Sequence, residues 1–377
     1  MTEHVPAPSS PDHPGTPPPP GLPQPGPPPA GYAPFPVPPA PPAAPPAPSA
    51  LPVEEREYHH FLRTPRARWW KGLLAIVTLV LAYLLVSVVL AGAAVLVDVA
   101  TGRVQTEDLA AGRITVTPML FLANNLGLAL LTPVAMLLQW AFFGQRPRWL
   151  SSVAGGFRWR WFGRAALVVV PVWLVYVGIT FLLSPEEVSG RLSEDAVLML
   201  VVVLLTTPLQ AAGEEYGARG LLARSAGSWF ANPRTALVVG GVLANLLFMV
   251  AHAATDPWLL VYYFTFGAAL SVLAWRTGGL EVPVLVHAVN NLFLLVPVAL
   301  YGDLSGAFER GPGTGGPVML LPMAVVVVMA VVLSWWARRN RVQTSSAPGA
   351  VAGPPPGLPG GQPSASPDPQ AASTPEG

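Results

Sequence analysis

Between Trp69 and Arg338 the chain carries eight stretches of about twenty apolar residues, near 72–97, 118–143, 164–184, 196–221, 235–254, 257–275, 280–300 and 317–337. Each is long enough for a helix rising about 1.5 Å per residue to cross ~30 Å of hydrocarbon. Inside lipid a backbone amide has no water to bond, so each stretch must close its own hydrogen bonds as a helix. The expected fold is an all-α, polytopic membrane helix bundle with about eight transmembrane helices. Only 11% of the 377 residues are charged and 52% are apolar, against about 25% charged in soluble domains. That composition excludes a soluble multidomain protein.

The absence of cysteine excludes disulfides, a thiol nucleophile and any cysteine-ligated metal. A net charge of +1 provides no electrostatic basis for a nucleic-acid partner. Half of the 46 prolines lie between Pro6 and Pro52. Residues 1–55 and 342–377 therefore read as disordered tails that cannot bury enough side chain to offset their ordering entropy. The first tail is either a solvated spacer or a dock for a proline-binding partner. No charged start followed by a short apolar run precedes it, so the first helix is expected to act as an uncleaved anchor. The remaining 56–341 is expected to be the membrane domain.

Orientation is read from positive charge. Sixteen of the 21 basic residues fall at one set of span ends, against Arg103, Arg113, Arg191 and Arg310 at the other. The positive-inside rule then places both termini in the cytoplasm of a multi-pass cell-membrane protein.

Ionisable side chains within spans carry the functional information, because each costs about 2.5 to 3.5 kcal/mol at a helix centre. The fourth span ends in Gln210-Ala-Ala-Gly-Glu214-Glu215-Tyr216-Gly217-Ala218-Arg219. Glu215 and Arg219 are four apart with the acid first, the favourable order for a same-face ion pair. Glu214 points about 100° away. The pairing thus neutralises Glu215 and leaves Glu214 free to act as a general base. A charge cluster at the lipid headgroups would have the same spacing.

Asn245, Phe248 and His252 line one face of the fifth span, and His287 and Asn291 share a face of the seventh. Alone, these could be a core histidine and a polar pair tying helices together. Together, an unpaired acid, two imidazoles and an amide meet the needs of hydrolysis: a base for water and donors for the carbonyl oxygen.

Glu-Glu-x-x-x-Arg at 214–219, Phe-x-x-x-His at 248–252 and His-x-x-x-Asn at 287–291, in that order on successive membrane helices, resemble the CPBP family. This family comprises the type II CAAX prenyl endopeptidases and the bacterial bacteriocin-processing or immunity proteins, also called Abi proteins. The resemblance covers roughly 195–300 and implies an intramembrane endopeptidase acting on a membrane-associated peptide or protein. It implies that Glu214 with His252 activates water, that His287 and Asn291 form an oxyanion hole, and that Glu215, Arg219 and Phe248 support them. Glu214, His252 and His287 could instead hold zinc with one open position. The competing readings are a non-catalytic immunity or scaffold protein and a proton-coupled transporter.

Depth conflicts with this assembly. On the spans above, Glu214 lies roughly 27 Å from the outer start of its helix and His252 only about 6 Å from the outer end of its own. Contact between them demands shifted boundaries, tilt or a broken helix.

Overall fold

The computed structural model describes residues 47–113, 115–183, 195–301 and 308–350. Most of the two proline-rich tails, including nearly all of the candidate dock for a proline-binding partner, lies outside the described residues.

The helices are α1 (Trp69–Ala100), the short α2 (Thr106–Ala110), α3 (Pro118–Ala129), α4 (Leu131–Leu138), α5 (Trp159–Leu183), α6 (Ala196–Glu215), α7 (Ala223–Gly227), α8 (Pro233–Ala251), α9 (Pro257–Thr277), α10 (Glu281–Tyr301) and α11 (Leu320–Arg339). Eight helical rods are long and apolar enough to span a membrane, as expected. Their starts are written in the sequence. Thr117, Asn232 and Asp256 each accept bonds from the first free N–H groups while proline occupies the first turn.

Boundary changes matter at the fourth rod, which runs from Ala196 to Gly227 rather than stopping near 221. A π-helical stretch, Tyr216–Leu222, joins α6 to α7 without interrupting it. Such a stretch adds a residue to the turn and re-aims the side chains around it. Arg224, expected beyond the span end, lies within this rod and is fully buried. Its guanidinium sits over the rings of Tyr58 (4.8 Å) and Phe61 (5.5 Å) and bonds to Gln139 Oε1 and the Trp149 carbonyl.

α6 packs most extensively on α10 and α3. At Gly213 the backbone of α3 comes so close that an added Cβ would lie 1.9 Å from the Leu128 carbonyl oxygen. Only glycine permits this approach.

The rings over Arg224 belong to a collar of chain ends. Strands β1 (Arg56–Glu57) and β2 (Ser345–Ser346) pair antiparallel, joining segments almost 290 residues apart. Nothing in the proline-rich composition announces this pairing, and 47–55 and 342–350 are ordered parts of residues read as tails. Tyr58 donates to the Leu150 carbonyl, and His59 and His60 each donate through Nε2 to backbone carbonyls of Pro233 and Phe230 at the entry to α8.

Both histidines are held below the usual imidazole range, chiefly by burial. For His60, Arg56 and Arg63 push the same way. Their neutral forms are favoured in the folded state, so their stabilising contribution is complete above the unfolded value of 6.5 and is lost as pH falls below it. Acidification from pH 7.5 to 5.5 should loosen the collar, read as faster proteolysis near residue 60. His59→Gln/His60→Gln should flatten that pH dependence; equal dependence in both proteins would contradict it.

Gly213→Ala should prevent close packing of α6 on α3 and lower the unfolding midpoint in detergent, an overpacking cost of about 1–3 kcal/mol or more. Gly241→Ala, whose Cβ would meet nothing within 4 Å, should leave the midpoint unchanged or raise it.

Candidate active site

α6 and α10 run antiparallel, with Gly220 opposite Leu280 and Glu215 opposite His287. Glu215 is fully buried, and its Oε1 accepts from Arg219 Nη1 at 3.0 Å and from His287 Nδ1 at 2.8 Å. Arg219 reaches Asn245 Oδ1 on α8 through Nη2 at 3.4 Å and lies over the Phe248 ring at 4.5 Å. The ion pair expected from the four-residue spacing is present. It is 0% and 1% exposed, so the headgroup reading fails for these two residues. Burial also explains the cluster's form, since a charge in low dielectric persists only when paired and hydrogen-bonded.

Glu214 has no such counter-ion. Its side chain is 12% exposed, and Gln210 Nε2 donates to its Oε1 from one helical turn earlier. The other oxygen, Oε2, faces His287 Nε2 at 3.8 Å. That separation exceeds a direct hydrogen bond and is suited to a shared ligand atom or a water. Because the Glu215 carboxylate accepts from His287 Nδ1, the ring is oriented with Nε2 toward Glu214. Asn291 Nδ2 donates to Gln210 Oε1 at 3.2 Å. Gln210, a residue that spacing alone did not single out, thus links Asn291 to Glu214, which His287 faces directly.

His252 stands at the end of α8. Its Nδ1 donates to the Phe248 carbonyl at 2.7 Å, which leaves Nε2 as the free nitrogen of the neutral ring. The imidazole stacks on Tyr263 at 4.0 Å and meets Phe248 at 4.5 Å. Phe248 in turn meets His287 edge-on at 5.9 Å. Phe248 thus touches both histidines, and no hydrogen bond or ion pair ties His252 to Glu214, His287 or Asn291 among the described residues. Tyr263 accepts from Arg310 Nε at 2.9 Å, which brings a loop residue to the His252 side of the site.

The depth conflict shrinks for a structural reason. Counted from the turn between Gly227 and Pro233, Glu214 is thirteen residues up its rod and His252 nineteen up α8. Counted from that inner turn, the offset falls from about 15 Å on the expected spans to about 9 Å at 1.5 Å per residue.

Among the described residues no three of His, Asp and Glu are gathered to hold a metal ion. No step below is routed through a metal.

The buried triad yields a stability prediction. Arg219→Met strands Glu215 in low dielectric and should cost about 3–5 kcal/mol, read by unfolding in mixed micelles. Glu215→Gln/Arg219→Met should recover much of that loss, and Glu214→Gln should cost far less than Arg219→Met. A wild-type midpoint for Arg219→Met would remove the triad's structural role.

The family described as "Type II CAAX prenyl endopeptidase Rce1-like" matches residues 194–293. That interval contains Glu214, Glu215, Arg219, Phe248, His252, His287 and Asn291. The chain is 27% identical over 176 residues to YyaK of Bacillus subtilis (strain 168), described as an uncharacterized protein, covering 43% of this chain and 57% of that one. The match thus spans little more than half the length of that relative. No solved structure matches the chain. Residues 194–293 of this membrane protein are accordingly a domain of the Rce1-like type II CAAX prenyl endopeptidase (CPBP) family.

Proposed function

We propose that this multi-pass membrane protein is an endopeptidase that hydrolyses a peptide bond of a membrane-associated peptide or protein, with Glu214 as the general base. The reading is carried by the asymmetry of the two adjacent acids. Glu215 is committed to Arg219 and His287, whereas Glu214 keeps an uncommitted Oε2 facing a space shared with His287 Nε2. A scaffold that kept these residues for packing would have no use for a pinned, partly exposed carboxylate.

In this mechanism a water between Glu214 Oε2 and His287 gives its proton to Glu214 as its oxygen attacks the substrate carbonyl carbon. The carbonyl electron pair moves to oxygen, and the developing charge accepts hydrogen bonds from the free Asn291 N–H and from His287 Nε2 when that nitrogen carries a proton. The tetrahedral adduct then collapses, the C–N bond breaks, and the leaving nitrogen takes the proton from Glu214. His252, with Nε2 free, is suited to shuttle that proton at the far end of the site. The products are a carboxylic acid and an amine, and transfer of the acid proton to the amine gives a carboxylate and an ammonium group, so atoms and charge balance. With Arg224 buried inside its rod, a fifteen-to-four bias of basic residues remains, which supports both termini in the cytoplasm of the cell membrane.

The test compares protein termini in membranes of cells carrying the wild-type chain or Glu214→Gln. Termini that appear only with the wild type identify the substrate, and cleavage of the corresponding peptide by purified protein should fall about 10²–10⁴-fold in Glu214→Gln. His252→Ala should also lose activity while keeping its unfolding midpoint. Identical termini in the two membranes, or pH-dependent solute flux lost in His252→Ala without any cleavage product, would reject the endopeptidase reading.

A further inference from the structure

The hydrogen bonds that end on Glu214 all run one way. Trp173 Nε1 on α5 donates to Asn290 Oδ1 at 3.3 Å, Asn290 Nδ2 to Asn291 Oδ1 at 3.2 Å, and Asn291 Nδ2 to Gln210 Oε1 at 3.2 Å. Gln210 Nε2 then donates to Glu214 Oε1. Three helices contribute to one chain of donors.

An amide's oxygen and nitrogen are nearly isosteric, so its orientation is fixed only by its partners. Here both ends of the chain are unambiguous. An indole N–H can only donate and an ionised carboxylate can only accept, so turning any of the three amides would set donor against donor or acceptor against acceptor. The second Asn290 hydrogen is taken by the Tyr262 hydroxyl at 3.4 Å, which saturates that residue. Asn291 is left with a single uncommitted N–H. Trp173, Asn290 and Gln210 are only 1%, 5% and 7% exposed, so water is poorly placed to replace a lost link.

We propose that Trp173, Asn290 and Gln210 are positioning residues, forming a one-way relay that sets the orientation of the Glu214 carboxylate and of the free Asn291 N–H. The inference rests on the hydrolytic reading above and deepens it. Trp173 and Asn290 act through other residues, since neither bonds to Glu214 or to His287. Helix adhesion alone would be served by amides in any mutually satisfied orientation. It would give no reason for the chain to terminate on the acid that lacks a counter-ion.

The test uses the full chain in lipid vesicles with two conservative variants: Gln210→Met, which keeps length and removes both links, and Trp173→Phe, which keeps ring bulk and removes the starting donor. Gln210→Met should lower kcat about tenfold or more with KM within about twofold, and Trp173→Phe should lower kcat by less. Because both variants act through the shared Asn291–Gln210 link, the double variant should lose less than the product of the two single losses. Additive losses, or a KM increase at constant kcat, would overturn the relay.

A second readout needs no turnover. The infrared difference between wild type and Glu214→Gln isolates the Glu214 carboxylate stretch, which should move in Gln210→Met and move less, in the same direction, in Trp173→Phe. A band unmoved in both variants overturns the relay, as does one unmoved in Trp173→Phe should Gln210→Met misfold. Should the band move while the wild type cleaves nothing, the relay stands and the endopeptidase reading is the one that fails.

Discussion

The bond from His287 to Glu215 is the constraint on which the rest of the site depends. Glu215 lies on α6 and His287 on α10, and the fully buried carboxylate that joins them also holds Arg219. Arg219 extends the grip to α8 through Asn245 and Phe248. One acid therefore fixes three helices relative to one another, because in low dielectric none of these charges can relax into water. It also turns the His287 ring so that Nε2 meets the second acid. Remove the shared carboxylate and the geometry around Glu214 loses its frame.

Adjacent acids on a helix make this division unavoidable. A rotation of about 100° per residue means that two neighbours point in different directions, here toward opposite nitrogens of the His287 ring. The one that faces the helix interface is consumed by structure, and the one beside it is presented to the cleft. The Glu-Glu pair thus encodes one structural carboxylate and one chemical one. The distinction is made by helical geometry before any neighbouring helix is considered.

Much of this was legible in sequence, for identifiable reasons. The eight rods follow from apolar run length, and the Glu215–Arg219 pair from a spacing of four. Three features were not legible. The π-helical stretch at Tyr216–Leu222 leaves no mark on an apolar run, so the fourth rod was ended too early and the depths of Glu214 and His252 disagreed by too much. The collar rests on two-residue strands and on Tyr58, His59 and His60 contacting backbone carbonyls far along the chain, and such contacts have no periodicity to read. Gln210 was visible only as a polar residue one turn before Glu214. Its link to Asn291 requires knowing that α6 faces α10.

The remaining physical question is how a membrane helix accommodates a carboxyl group without a cation beside it. A charge at a helix centre costs about 2.5 to 3.5 kcal/mol on insertion scales, and a hydrogen bond to a charged group returns about 1.5 to 3 kcal/mol. The single donor from Gln210 is therefore of the right size to offset most of the cost. The 12% exposure of the side chain supplies further solvation. A formal counter-ion at Glu214 would stabilise it more strongly, but it would also hold both oxygens and lower their basicity. Neutral donors on one oxygen solvate the acid while leaving the other able to accept a proton. Under that logic the uncharged character of Gln210, Asn291 and Asn290 is what allows a stable membrane helix and a usable base to coexist at the same residue.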